Sequence, residues 1–435
     1  MAFDPIVVAA YAGPLAIIWL IYFSSRKKAE KSNLAARAEA VEAGLTEPAS
    51  LHPLIDPSKC LGCGSCIRAC PEGEIIGFIN GKAELIEPTE CIGHGACKTA
   101  CPHGAITLVF GTETRGVDIP NVAPNFETNV PGIFIAGELG GMGLVRNAIE
   151  QGRQAIDSIR QVGQSNTPGV ADVLIIGAGP AGISASLAAI EHKMRYITLE
   201  QDSFGGTVAH FPRGKLVMTQ PATLPLYGKM KFTEITKEKL LGFWNFIARR
   251  TGLKVHYGER VEMIAPAPHG FDVQTTQGLH KTRTVLLAIG RRGTPRRLEV
   301  PGEEQAKVVY RLIDPEQYRG KHVLVVGGGD SALEAAGSIA EEQGTTVTLS
   351  YRNEAFSRAK PKNRQRVERA QAAKRLKVML KSNVKEIGPD TARLEWKGQP
   401  VEIPNDAVII CAGGILPTKF LKSIGIEVET KYGTA

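Results

Sequence analysis

Aromatic side chains are scarce: 14 Phe, 9 Tyr and 3 Trp among 435 residues. A chain this poor in flat side chains has no stacking platform for bases, and its net charge of +8 is thinly spread, so nucleic acid is not an expected partner. Cysteine is missing almost everywhere. Seven of the eight lie between Cys60 and Cys101, and the eighth, Cys411, stands alone in an apolar strand. Such clustering at ligand spacing argues against a disulfide framework and for metal in a reducing compartment. Neither is the chain depleted in apolar residues, which at 43% exclude a disordered polymer, and its length predicts two or three compact units. The 47 glycines suggest several tight nucleotide-binding turns.

Charge is absent from residues 6–23, IVVAAYAGPLAIIWLIYF. As a helix this run would rise roughly 27 Å at 1.5 Å per residue, close to a bilayer core. Trp19 and Tyr22 sit near its end as interfacial anchors would. Arg26, Lys27, Lys28 and Lys31 follow, whereas only Asp4 precedes it. The expectation is a single-pass anchor in the cell membrane over residues 1–25, with the catalytic domains on the cytoplasmic side. A cleaved signal peptide would need a basic start and a small-residue cleavage site, and neither is present. Pro14 can kink such a helix without excluding it. Residues 26–50, rich in Ala and Glu, read as a helical linker.

Cys60, Cys63, Cys66, Cys70 and Pro71 spell C-x2-C-x2-C-x3-C-P. This spacing wraps three thiolates round one iron–sulfur cube and sends the fourth to a neighbouring cube. Cys91, His94, Cys97, Cys101 and Pro102 repeat the spacing with histidine in the second place. Residues 52–110 thereby resemble the bacterial two-cluster ferredoxins. The resemblance implies Cys60, Cys63, Cys66 and Cys101 on one cluster, and Cys70, Cys91 and Cys97 on the other. At His94 three readings stay open: an imidazole-ligated four-iron cluster, a three-iron cluster without that corner, or a hydrogen bond to a cluster sulfide. Imidazole in place of thiolate would raise the reduction potential, as in Rieske centres.

Further on, the strand 173–176 runs into Gly177, Gly179 and Gly182 (GAGPAG) and then an alanine-rich helix. This is the arrangement in which backbone and helix N-terminus receive a pyrophosphate, and Glu200 ends the next strand where a ribose-binding acid is expected. A second copy has Gly327, Gly329 and Ala332 (GGGDSA) after the strand 322–326. Its following strand ends in Tyr351-Arg352, not in an acid. Arg352 and Arg358 suit a 2′-phosphate, which favours NADPH over NADH; the alternative is that they belong to a solvated basic helix. That basic stretch also suits an acidic electron carrier.

With Phe204-Gly205-Gly206, the crossover LLAIGRR at 286–292 and the return strand IICAGGILPT at 409–418, residues 171–420 resemble the thioredoxin-reductase-like flavoproteins. That resemblance implies FAD on the first fold and NAD(P)H on the second, with a homodimer by analogy. It also implies a flavin-contacting segment after the return strand. Only 17 residues follow Thr418, and the motif stands instead at 128–138, TNVPGIFIAGE, ahead of the helix VRNAIEQGRQAIDSIR. The expectation is a circular permutation in which Gly137 and Glu138 meet the flavin, Glu138 taking the place of the family's Asp. The helix start near Met142 would then favour negative charge on the reduced ring.

The expected fold class is α/β: two Rossmann-like three-layer domains, a small α+β ferredoxin domain and one transmembrane helix. The ferredoxin domain should cover 51–110 and the permuted part of the FAD domain 111–165. The FAD-binding domain should follow over 166–295, the NAD(P)-binding domain over 296–410 and the return segment over 411–435. No acid–base residue is required, because FAD, NADPH (or NADH) and two iron–sulfur clusters carry the chemistry. The redox C-x-x-C of thioredoxin reductases is missing between 297 and 411. The reading is a membrane-anchored oxidoreductase passing electrons between NAD(P)H, FAD, the clusters and a soluble or membrane carrier, in either direction. Two alternatives are a wiring subunit of a larger membrane complex and a reductase of low-molecular-weight disulfides, nearer the bacillithiol-disulfide type.

Overall fold

The computed structural model describes all residues except 1–4, 43–44, 49–50, 114, 142, 164, 166, 220, 292, 357–358 and 434–435, and no side chains at 5–10 or 218. The chain divides into two compact units, residues 1–109 with 433–435, and residues 110–432.

The first unit opens with helix α1, Pro5–Glu42. Its second half, rich in Ala and Glu, has strong intrinsic helix preference and continues the apolar half without a break. Among the described residues no helix is long and apolar enough to cross a membrane, so the transmembrane span expected over 6–23 is not found there. The helix that carries the run does not end with it but continues into the charged segment from Arg26 onward. Residues 26–42 do not hang free as a spacer. The Arg26 guanidinium lies over the Phe78 ring, Asn33 donates to the Phe78 carbonyl at 3.1 Å, and Arg37 pairs with Glu84 at 2.8 Å. The Asn80 amide donates to Glu30 at 2.6 Å. All four contacts are to one hairpin, Ile76–Ile79 with Lys82–Leu85. Around it stand helices α2 (Ser65–Ala69) and α3 (Ala96–Thr99) and the antiparallel pair His52–Ile55 with Ile106–Val109.

The second unit is built on two sheets, the first mixed and the second parallel. In the first, the strands His256–Tyr257, Tyr196–Glu200, Ala171–Ile176 and Leu279–Leu287 lie side by side. Val, Ile and Leu fill both faces where the central pair run together, at 173–176 and 285–287, as a sheet covered by helices requires. The first half of Leu279–Leu287 carries an antiparallel meander with Gly270–Thr275 and Val261–Ala267. Its second half instead receives Ile133–Ile135 in parallel, Val285 opposite Ile133 and Leu287 opposite Ile135, on the side away from Ala171–Ile176. A strand from before the glycine turn thus completes the sheet that carries the turn. Helix α4, Val145–Val162, follows it and buries Ala148, Ile149, Gly152, Ala155, Ile156 and Ile159, an i, i+3/i+4 stripe, against α5, Pro180–Glu191. Helix α6, Lys237–Thr251, is capped by the Thr236 hydroxyl and buries Trp244 completely.

The second sheet runs Val308–Val309, Ala407–Ile410, His322–Val326, Thr346–Tyr351 and Leu376–Leu380, all parallel, with α7 (Asp330–Ile339) and α8 (Pro361–Ala372) packed together. The two connections between the sheets pair with each other, Thr294 opposite Ile415. The strand Val428–Lys431 closes on Val117–Pro120.

Gly152 marks where α4 and α5 touch: a Cβ there would be driven into the Ala181 carbonyl oxygen. In an exposed helix Gly→Ala is worth up to ~1 kcal/mol of stability. Here Gly152→Ala should instead destabilise by about 1–3 kcal/mol through overpacking, with a lower Tm and fewer flavins per chain. An unchanged or higher Tm would show that residues 145–162 do not pack on the dinucleotide helix.

Candidate functional site

The strand Ala171–Ile176 delivers the chain to Gly177, whose φ of +102° and 2.6 Å Cβ approach to the Ala288 carbonyl oxygen admit no side chain. Gly182, one turn into α5, packs so closely on Gly177 that its Cβ would overlap the Gly177 carbonyl oxygen. Between them the backbone at Gly179 is open on the side facing Gly206, 3.9 Å off to the Gly206 Cα. The result is a cradle of peptide N–H groups at a helix N-terminus, which holds an anion with no charged side chain. Glu200 is buried, and its carboxylate accepts from the Ala178 amide at 2.7 Å and the Asp202 amide at 2.9 Å. Two bonds fix the acid rigidly beside the turn and leave lone pairs for a ribose hydroxyl.

Two further loops meet the cradle. The Gly205 amide donates to the Ala178 carbonyl at 2.9 Å, and Gly206 lies against Gly179, backbone to backbone. From the other side comes Gly137, packed on Ala181 and donating to Gln151 of α4 at 2.8 Å. Gly137, Gly177, Gly179, Gly182, Glu200, Gly205 and Gly206 therefore border one site. Glu138 follows and faces Gly143. Met142 lies outside the described residues.

Arg291 was not singled out by motif reasoning, although it stands in the crossover LLAIGRR. It donates to the Asp118 carbonyl at 3.0 Å. Burial pushes its pKa down, while the charges of Glu138 and Asp118 oppose that shift. Arg291 is thus a partly buried cation on which the charges of Glu138 and Asp118 both act. Only its position one residue after the Gly290 turn could have signalled it.

At the second cradle Gly327 presses on the Cys411 carbonyl, and the position that a Gly328 Cβ would take falls in the Tyr351 ring. Gly329 faces open space, and Ala332 is fully buried where α7 meets the strand. The Asp330 carboxylate accepts from the Lys360 amide at 2.8 Å and from Asn363 at 2.7 Å, tying α8 to the turn. Arg352 is exposed directly after Tyr351, at the end of the strand beside this cradle. Arg358 lies outside the described residues.

In the first unit the ligand-spaced residues sort into two pockets. Cys60, Cys63, Cys66 and Cys101 line one; Cys70, Cys91, His94 and Cys97 line the other. Among the described residues no three ligands converge on a point where a single metal ion could sit. A cube bonds each thiolate to a different iron, so its ligands surround a volume instead, and the residues present fit it. Burial pushes the thiols of Cys66, Cys91 and Cys97 above their ordinary range, most strongly opposed by backbone amide hydrogen bonds. Exposed Cys63 is pulled down, chiefly by hydrogen bonding to Ser65.

A family model described as "Pyridine nucleotide-disulphide oxidoreductase" matches residues 174–434. The chain belongs to that family. A model described as "4Fe-4S dicluster domain" matches residues 52–102. Among curated relatives, a ferredoxin–NADP reductase of Ignicoccus hospitalis is 30% identical over 60% of this chain and 83% of its own length. One from Streptococcus pneumoniae is 31% identical over 42% of this chain, which spans about half (55%) of that relative. The bacillithiol disulfide reductase of Bacillus cereus shares the fold, with a TM-score of 0.52 at 24% identity over 59% of this chain and 82% of that one. As a member of the pyridine nucleotide-disulphide oxidoreductases with a dicluster domain, this chain is a flavin enzyme using FAD, NAD(P)H and iron–sulfur clusters. When bound, those groups supply the hydride and single-electron chemistry; the chain's residues bind them, orient them and exclude water.

The thiol shifts carry a sign. In iron-free protein near pH 8, Cys66, Cys91 and Cys97 should remain protonated and react slowly with iodoacetamide, while Cys63 reacts first. Rates at the three buried thiols should rise only above the usual thiol range. Peptide mass spectrometry reads the order, and equal labelling of Cys91 and Cys63 would refute it.

Proposed function

We propose that the chain is an NAD(P)H-dependent flavoprotein that exchanges electrons with a separate redox carrier through its own pair of iron–sulfur clusters, held at a membrane by the apolar half of α1. The observation that carries the redox reading is the meeting of the turns at Gly137, Gly177 and Gly206 in a chain that also has eight ligand-spaced residues on two pockets. The names of the ferredoxin–NADP reductase relatives support a carrier of ferredoxin type. NADPH is the favoured nucleotide: Arg352 stands exposed where the second fold's ribose would lie, with no acid in its place.

The order of the flavin-binding segments is read as a circular permutation. Support comes from the parallel pairing of Ile133–Ile135 with Leu279–Leu287 and from the family match, which starts only at residue 174. Termini that lie close together let such a rearrangement use a short linker, here 161–172. Membrane attachment is supported by the exposure of Leu15, Ile17, Ile18, Trp19, Leu20 and Ile21 on a helix followed by Arg26, Lys27 and Lys28. The expected orientation leaves the redox units cytoplasmic, and a homodimer is expected by analogy with the fold.

The purified holoprotein should reduce a one-electron dye with NADPH and without added subunits; absence of turnover until another subunit is supplied would favour a wiring subunit instead. Arg352→Ala should raise KM for NADPH about tenfold or more, the worth of one charged hydrogen bond, and leave KM for NADH nearly unchanged. Equal effects on both would remove Arg352 from 2′-phosphate recognition. Separately, the full chain should sediment with membranes and resist extraction by high salt, and deletion of residues 1–25 should release it with dye reduction intact. Salt-extractable full-length protein would overturn the anchor.

A further inference from the structure

The eight ligand-spaced residues are unequally open to solvent. Cys63 is exposed, whereas Cys60, Cys66, Cys91 and Cys97 are buried and Cys70, His94 and Cys101 are half-buried. On the rim of the same pocket as Cys63, Leu61 turns an apolar side chain outward, 68% exposed, and exposed His103 stands beside it. The loop is seated firmly from behind. A Cβ on Gly62 would strike the Gly81 carbonyl oxygen of the hairpin, and one on Gly64 would press on the Phe78 ring. An exposed ligand on a fixed loop, with an outward apolar side chain next to it, suits the small contact of a transient electron-transfer encounter.

Charge divides along the same line. From Lys59 to Cys70 stand two cations, Lys59 and Arg68, and no acid; from Pro71 to Cys97 stand five Glu and one Lys. That one, Lys82, reaches back to the first loop and donates to the Cys60 carbonyl at 2.5 Å. Exposed Arg68 donates to the Cys63 carbonyl at 3.3 Å. Lys59 has its side chain 63% exposed, and Asp56, 3.4 Å away, offsets part of its charge. The second pocket is lined by Glu72 instead. The solvent-reached loop is thus ringed by cations, while acids stand at the buried one. Rim charges of one sign speed encounter with a protein of the opposite sign and slow it with a protein of the same sign.

We infer that the rim formed by Leu61 and Cys63, with Lys59 and Arg68 around it, is the docking face for an acidic one-electron carrier protein, which therefore meets the first cluster and not the second. This rests on the reading that the chain exchanges electrons with a separate carrier through its own clusters. Each encounter passes one electron: what the carrier gains the first cluster loses, or the reverse, so one NADPH serves two carrier molecules. The acids between Pro71 and Cys97 repel the same carrier from the second loop. A rival face is the basic helix α8, which lies in the other unit.

The test uses the full-length holoprotein, a purified acidic ferredoxin, and the basic protein cytochrome c for contrast. Calorimetry reads binding, stopped flow reads electron exchange, and iron analysis with EPR reads the clusters. The wild type should bind the ferredoxin, more weakly as salt rises, and bind cytochrome c less well. Lys59→Glu and Leu61→Glu should each weaken ferredoxin binding about tenfold, with iron content, both EPR signals and the reduction of the clusters by NADPH unchanged. Arg68→Gln should weaken it less, and its iron content reports whether the loop has kept its cluster. Ferredoxin binding that both Glu variants leave intact would overturn the inference, as would cytochrome c binding the wild type equally well. So would loss of ferredoxin binding in Lys362→Glu or Arg369→Glu, which would move the carrier to α8. Slower reduction of the clusters by NADPH in Leu61→Glu, with ferredoxin binding intact, would show that the rim serves the chain's own flavin instead. Wild-type clusters that NADPH leaves oxidised would refute the underlying reading, a separate failure, because ferredoxin binding and its response to Lys59→Glu are measured without turnover.

Discussion

Peptide groups can grip a diphosphate only where nothing stands between them and it. At the first dinucleotide turn this is achieved by stacking backbone on backbone: Gly182 on Gly177, Gly177 on Ala288, and Gly206 on Gly179. The elements around it follow from holding that stack. Leu279–Leu287 must lie beside Ala171–Ile176 to bring Ala288 over the turn, and Ile133–Ile135 must cover its other side. Gly152 must sit on Ala181 for α4 to close down on α5. At Gly182, Gly177 and Gly152 a methyl group would be driven into a backbone carbonyl oxygen.

The iron–sulfur unit solves a different problem. Its ligands must be anionic thiolates, yet several are buried, and burial alone favours the neutral thiol. These cysteines would hold the clusters as thiolates, so ligation would have to displace the proton that burial favours. Helices α2 and α3 are too short to be stable alone and depend on the hairpin and, through it, on α1. Four polar or cation–π contacts on one face of α1 explain why the helix runs on past the apolar run as part of this unit.

Ligand spacing and glycine turns are local features set by chain geometry over a few residues, so the motifs at 60–70, 91–101, 177–182 and 327–332 were legible in the sequence with their chemistry. The out-of-place motif at 128–138 was legible for the same reason, because its glycine and acid form a local pattern whichever end of a domain they occupy. What the chain does with them is decided by distance in space. That Ile133–Ile135 takes over the edge of Leu279–Leu287 halfway along its length is a matter of register between segments about 150 residues apart. That the charges of Glu138 and Asp118 act on Arg291, and that Glu72 faces His94, depends on side chains brought together by turns whose angles no spacing encodes. Nor does an apolar run state where its helix stops, since the contacts that keep α1 helical beyond it come from Phe78, Asn80 and Glu84. Composition and spacing determined which groups this protein binds; tertiary packing alone decided which side chains stand beside them, because charge and hydrogen bonding act over a few ångströms and take no account of separation along the chain.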